Sequence, residues 1–212
     1  YKKISSCRIC GNKVLTNFLR LGNQMLTGVF PKEKDKGSVS SGPIALVKCM
    51  GENSCGLVQM QYSYSLSEMY GDNYGYRSGL NKSMVDHLHS KVSKITKLVK
   101  LNDDDLIIDI GSNDATTLKA YPQKRLDLVG IDPTGVKFNS YYPDNIQLIP
   151  DFFSSTLVKA KFGNKKAKVI TSFSMFYDLE EPLTFMKEVH EILGNDGVWI
   201  FEQSYMPKML EM

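Results

Sequence analysis

A chain of 212 residues with 42% hydrophobic and 23% charged positions has ordinary globular composition, enough for one or two buried cores. Its net charge of +3 is spread thinly along the chain, which leaves no electrostatic footprint for a nucleic-acid partner. No run approaches the ~20 apolar residues that span a bilayer, and the stretch before Cys7 has no apolar signal core, so no membrane partner and a cytoplasmic location are expected.

The four cysteines, Cys7, Cys10, Cys49 and Cys55, all lie near the N-terminus, and the rest of the chain has none. That usage fits a reducing compartment and a single local structure. Two close pairs on separate turns converge naturally into a tetrahedral thiolate site for zinc. Four thiolates leave no open coordination position, so such a metal is structural. Two disulfides and free thiols are the alternatives, and a reducing compartment disfavours the disulfides. Residues 1–62 are therefore expected to form a zinc-binding domain. Within it Val14 to Leu21 and Ile44 to Lys48 read as short strands or a helix, and Lys32 to Pro43, rich in Lys, Gly and Ser, reads as a loop.

Residues 63–79 read as a connecting segment. Tyr62, Tyr64, Tyr70, Tyr74 and Tyr76 alternate here with Gly71, Gly75 and Gly79, which predicts an irregular, ligand-facing stretch. Over 80–101, Leu80, Met84, Leu88, Val92, Ile95 and Val99 recur at helical steps.

From residue 105 strands and helices alternate. Leu106 to Ile110, Leu126 to Ile131, Ile146 to Ile149, Val169 to Ser172 and Val198 to Glu202 read as strands. Thr116 to Tyr121 reads as a helix stopped by Pro122. Leu179 to Leu193 reads as a helix capped by Asp178 with Glu181 three residues on, followed by a turn over Gly194 to Gly197. The pattern predicts an α/β domain over 80–212 with a Rossmann-like parallel sheet covered on both faces.

Ligands of such sheets bind at the carboxyl ends of the strands. Four groups of residues fall there. The first runs from Asp109 through Gly111, Ser112 and Asn113 to Asp114. The second is Asp132 and Pro133, with Asp132 positioned to accept from ribose hydroxyls. The third is Asp151, Phe152 and Phe153, suited to an adenine. The fourth is Ser172, Phe173 and Ser174, where a substrate would meet a cofactor. A dinucleotide fold would carry G-x-G-x-x-G; here Gly111 stands alone and Ala115 occupies a later glycine position. An acidic residue two before the lone glycine resembles motif I of class I S-adenosylmethionine (SAM) methyltransferases. Read singly, Asp109 is equally a satisfied loop residue, Asp132 a helix cap and Phe152 core. Tyr76 suits a pocket or packing on the following helix. Arg77 suits a diphosphate or a surface ion pair. His87, His89 and His190 read as surface or core helical residues.

The order of Cys7-Arg-Ile-Cys10, Cys55-Gly-Leu-Val-Gln59, Met69 to Gly79, Ile108 to Asp114 and Trp199 to Tyr205 resembles the sugar C-methyltransferase family of deoxysugar biosynthesis. The resemblance implies a zinc-binding domain, a SAM domain and a C-terminal domain, and a nucleotide-linked 4-keto sugar as substrate. A base removes the C3 proton and the enolate takes the methyl group from SAM. It implies Tyr76 at the cofactor, and Tyr70, Arg77, Asn81, Glu202 and Gln203 at the substrate. Tyr177 stands where some members carry a histidine. The family's Tyr/Glu/His catalytic segment is expected beyond Met212, so the chain is expected to be an N-terminal fragment whose catalytic residues lie elsewhere, Tyr76 and Tyr177 being contributors within it. Methyl transfer to O or N of another small molecule, and a non-catalytic zinc-ribbon module on a degenerate fold, stand as alternatives. The oligomeric state is left open.

Overall fold

The computed structural model describes residues 1–26, 32–70, 74–122 and 125–211. The chain forms two compact units, residues 1–76 with 180–183, and residues 77–179 with 184–212.

In the first unit, β2 (Leu15–Met25), β3 (Ser41–Cys49) and β4 (Val58–Met60) form an antiparallel sheet in that order. A second ribbon pairs β1 (Lys2–Lys3) with β5 (Tyr62–Ser63), ahead of the short helix α1 (Leu66–Met69). The core of this unit is thin. Among the described residues, Ala45 and Val47 of β3 are its buried aliphatic residues, alongside Cys7 and Cys49. Phe18, Leu21 and Met25 of the edge strand β2 are exposed. So small a core calls for a further staple.

Of the segment Val14 to Leu21, readable as strand or helix, Leu15 onward is strand, which runs on to Met25. The expected loop Lys32 to Pro43 holds a single 3-10 stretch, Glu33–Ser38, and its last residues already belong to β3. Tyr62 and Tyr64 make contacts within the first unit. Tyr62 meets the Tyr1 ring edge-on at 5.5 Å, and the Tyr64 hydroxyl donates to the Pro43 carbonyl at 2.6 Å. Gly71, Asp72 and Asn73 of the tyrosine-rich stretch lie outside the described residues.

From residue 77 the elements are α2 (Lys82–Leu98), β6 (Leu106–Ile110), α3 (Thr116–Lys119), β7 (Asp127–Ile131), α4 (Gly135–Phe138), β8 (Ile146–Ile149), α5 (Ser155–Phe162), β9 (Ala167–Phe173), α6 (Pro182–Ile192), β10 (Leu193–Glu202) and α7 (Met206–Leu210). The sheet order is β10-β9-β6-β7-β8, with every neighbouring pair parallel. Chain direction across the sheet reverses between β6 and β9, which opens a crevice at their carboxyl ends.

All five residues of β6 are buried, as a central parallel strand requires. Its alternate side chains feed two cores. Ile107 joins Val92, Ile95, Leu118 and Leu128 on one face, whereas Leu106, Ile108 and Ile110 join Val158, Phe185 and Val189 on the other. Helix α2 thus buries the Leu88, Val92 and Ile95 stripe, but Leu80 is 69% exposed and stands outside it. The helix starts at Lys82 because the Asn81 side chain caps it, accepting from the Ser83 amide at 3.0 Å.

Two expected boundaries move. Helix α6 begins at Pro182, and Asp178 closes a 3-10 turn (Phe176–Asp178) instead of capping the helix; Leu179 is extended. Strand β10 runs from Leu193, and Gly194 to Gly197 form an irregularity in its register with β9 rather than a separate turn. Among the described residues no helix is long and apolar enough to cross a membrane.

Candidate functional site

The loop leaving β6 is built from left-handed backbone. Gly111, Asn113 and Ala115 have φ of +77°, +50° and +61°. Glycine takes this conformation freely, but Asn and especially Ala take it at a cost. The loop therefore needs external support, and hydrogen bonds supply it. The Asn113 amide donates to Asp132 Oδ2 at 2.8 Å, and its carbonyl accepts from the Tyr142 hydroxyl at 3.0 Å. Its side-chain Oδ1 accepts from the Ser78 amide at 2.9 Å. Ser112 Oγ lies 2.8 Å from the same Tyr142 hydroxyl. Gly130 makes room for that pair, since a Cβ there would stand 2.5 Å from Ser112 Oγ.

Asp109, one residue short of the end of β6, sits below this loop and is 2% exposed. Its Oδ1 accepts from Thr171 Oγ1 at 2.6 Å. Burial raises its pKa to about 7, the Asp132 charge adds to the rise, and hydrogen bonds from Thr171 and Thr117 oppose it. Asp132 follows the end of β7. Besides the Asn113 amide it holds the Thr134 amide at 2.7 Å and Thr134 Oγ1 at 2.6 Å. It both caps its own turn and braces the neighbouring loop, with acceptor capacity left on Oδ2. Asp151, after β8, is exposed, with Oδ1 accepting from the Phe152 amide at 2.7 Å; Phe152 is 43% exposed. The three carboxylates thus belong to adjacent parallel strands, Asp132 and Asp151 just past the ends of β7 and β8 and Asp109 inside β6. Pro133 is half-buried in the turn that Asp132 caps.

Other expected site residues are committed elsewhere. Ser172 is fully buried and its Oγ accepts from Trp199 Nε1 at 2.9 Å, so it faces the sheet's aromatic core. Phe153 packs edge-on against Phe185 at 5.1 Å. Arg77 Nη1 pairs with Asp114 Oδ2 at 3.0 Å and its guanidinium lies 4.2 Å over the Tyr141 ring. Asn81 is the α2 cap already described. Glu202 bonds His87 at 2.9 Å and also pairs with Lys91; burial opposes its ionisation, but these two partners outweigh it and lower its pKa. Phe173 is half-buried, while Ser174 (φ +53°), Tyr177 and Gln203 are exposed after β9 and β10. Tyr70 and Tyr76 belong to the first unit, where Tyr70 packs against Tyr74 at 5.4 Å and Tyr76 is 45% exposed.

Tyr142 and Thr171 are supporting residues that sequence reasoning missed, and Asp114, which it places in the loop after the first strand, is a brace of that loop. Asp114 carries a local signal, an acid two residues before Thr116 in an Asx-type turn; nothing local marks Tyr142 or Thr171.

The metal site lies wholly in the first unit. The four cysteine Sγ atoms fall within 4.8 Å of one another, with Cys7–Cys55 and Cys10–Cys49 each at 3.5 Å. A tetrahedron of thiolates around zinc at ~2.3 Å has edges of roughly 3.8 Å, so the donor set fits that ion. Local backbone shapes both limbs. Gly11 (φ +71°) turns the chain after Cys10; Gly51, Asn53 and Gly56, all at positive φ, fold the longer limb around Cys55. Amides of Asn12 and Cys55 draw the Cys10 thiol down to about 6, while burial and the Cys10 neighbour push Cys49 up to about 12. Gln59 Nε2 donates to Cys7 Sγ at 3.2 Å, an outer contact that orients the ligand.

Residues 7–70 match a methyltransferase-associated family model described as "Putative zinc binding domain". This zinc module accounts for all four cysteines. Over nearly its whole length the chain is also similar to a curated C-methyltransferase, NovU of Streptomyces niveus, at 22% identity across 99% of this chain and 50% of the relative. The chain spans about half the length of the curated relative it matches. Among solved structures, it is similar to the plantazolicin methyltransferase BpumL in complex with a pentazolic desmethylPZN analog and SAH. That likeness has a TM-score of 0.44 and 20% identity, over 56% of this chain and 46% of that one. The precorrin-6y C5,15-methyltransferase of Geobacter metallireducens GS-15 aligns with a TM-score of 0.42 and 13% identity, over 65% of this chain and 71% of that one.

Proposed function

We propose that this chain is the zinc-binding and SAM-binding portion of a C-methyltransferase acting on a nucleotide-linked 4-keto deoxysugar. The observation that carries the reading is the similarity, across nearly this whole chain, to half of a curated C-methyltransferase. The loop after β6 supports it: a single glycine, preceded by Asp109 and braced by Asp132, on a doubly wound sheet. In this reading Gly111 to Asn113 receive the cofactor's amino-acid end. The remaining capacity of Asp132 serves the ribose, and Asp151 with Phe152 serves the adenine. Bound SAM supplies an electrophilic methyl group. The chain's contribution is to hold that group still against a carbon made nucleophilic by loss of the proton next to a ketone. Tyr177 and Gln203, exposed past β9 and β10, are the candidates for contact with the sugar or the reacting groups, and zinc is structural.

Calorimetric titration of the 212-residue chain with SAM, and with NAD+ as control, tests the cofactor. SAM is expected to bind and NAD+ not to. Asp151→Ala and Phe152→Ala, both at exposed positions, are expected to weaken SAM binding about tenfold without lowering the melting temperature. A folded, zinc-loaded chain that takes up no SAM sinks the reading. Saturation-transfer NMR with a nucleotide-linked 4-keto deoxysugar tests the substrate; signal from unrelated small methyl acceptors alone would favour O- or N-methylation instead.

A further inference from the structure

The loop after β6 is held from three directions, and one of them is the segment just before α2. Asp114, 0% exposed, has its carboxylate filled by four donors: Arg77 Nη1 and the Gly79 amide on Oδ2, each at 3.0 Å, and the Thr116 amide at 3.2 Å and Thr116 Oγ1 at 2.5 Å on Oδ1. A buried carboxylate demands such company, and the guanidinium supplies its counter-charge. The Arg77 plane also rests 4.2 Å over Tyr141. The next residue, Tyr142, reaches Ser112 and the Asn113 carbonyl. Ser78, between Arg77 and Gly79, donates to the Asn113 side chain. Gly79 is required by the closeness of this seam, because a Cβ there would stand 2.5 Å from Asp114 Oδ2 and 3.0 Å from Arg77 Nη1.

We infer that Arg77 is a positioning residue for the cofactor loop: through Asp114 on one side and Tyr141 on the other, it keeps Asn113 and Ala115 in the left-handed backbone that presents the loop to its ligand. The inference rests on the cofactor reading above for the identity of that ligand. It does not need Arg77 to touch the ligand. Two strained residues in one short loop relax when a brace is removed, so the loop's order and the affinity it supports both depend on this side chain.

Amide hydrogen exchange of the ligand-free chain, read together with SAM titration, tests it. Arg77→Met is expected to speed exchange at residues 112–116 by about tenfold while exchange in β6 changes far less, and to lower the melting temperature because Asp114 loses its counter-charge. SAM affinity is expected to fall by about tenfold. Arg77→Lys, which keeps the charge but not the planar stack, is expected to recover part of both losses. Unchanged exchange at 112–116 in Arg77→Met overturns the inference, as does equal loosening of loop and sheet that Arg77→Lys fails to relieve. If Arg77→Met does not fold, Gly79→Ala carries the same test, and unchanged loop exchange there is equally fatal. A wild-type chain that binds no SAM defeats the cofactor reading alone; the exchange data still decide whether Arg77 positions the loop.

Discussion

Ala115 has φ +61° and ψ +17° and no side chain large enough to explain why it is tolerated there. Left-handed backbone costs an L-residue about 1–2 kcal/mol, and glycine none, although glycine also loosens the unfolded chain by a fraction of that. Ala115→Gly is therefore expected to raise stability by up to about 1 kcal/mol in urea denaturation; a clear loss would mean that the methyl group, which is fully buried, is worth more as packing than it costs as strain. Asp109 has the opposite problem. Its folded pKa, near 7, lies above that of an unfolded aspartate, ~3.9, so the native state binds the proton more tightly. Stability from this group is complete below pH ~4 and is lost as pH rises toward 7. Asp109→Asn mimics the protonated form and is expected to flatten that part of the melting-temperature profile; an unchanged slope between pH 4 and 7 would assign it to other groups. Strand-end reasoning puts Asp109, Gly111 and Asp132 near the carboxyl ends of β6 and β7; the structure has Asp109 inside β6 and Gly111 and Asp132 just past the strands. It missed what they hold. Arg77 finds Asp114 across 37 positions and Trp199 finds Ser172 across 27, and no local spacing encodes such partners.

Among the elements, β6, β7 and β8 were legible because buried parallel strands are continuous apolar runs between polar turns. The start of α6 was not, because Asp178 and Glu181 imitate a capping box. Pro182 was the better signal: proline suits the first turn, where its missing N–H is no loss, and the residues before it are steered toward extended backbone. The irregularity at Gly194 to Gly197 was read as a turn since a sequence cannot show that β9 continues to pair alongside it. At α5 the cap is explicit, Ser154 Oγ accepting from the Leu157 amide at 3.2 Å. Ser154→Ala is expected to cost about 1 kcal/mol in chemical denaturation, with Ser154→Asp recovering most of it.

For the molecule as a whole, the two units draw their stability from different sources. The sheet unit has two apolar cores, one on each face. The first unit has Ala45 and Val47 and four thiols. Metal binding is then folding energy for that unit, of order 10 kcal/mol in comparable thiolate sites. Chelation of zinc is expected to abolish one thermal transition and leave a second, sheet-derived one; a single unaltered transition after demetallation would show that the cysteines are not its staple. Acid should do the same, since protons compete with the metal for thiolates.

The chain has a single tryptophan, and its placement makes it a natural beacon. Trp199 stands in β10 with its indole N–H tied to Ser172 and its ring bracketed by Phe176, Phe185 and Phe201. Phe176 sits in the short turn just past β9, on the side of the sheet where the carboxyl strand ends gather. Anything that enters there and disturbs the turn will alter the colour and brightness of one indole, so occupancy can be followed by eye of a fluorimeter without attaching a dye.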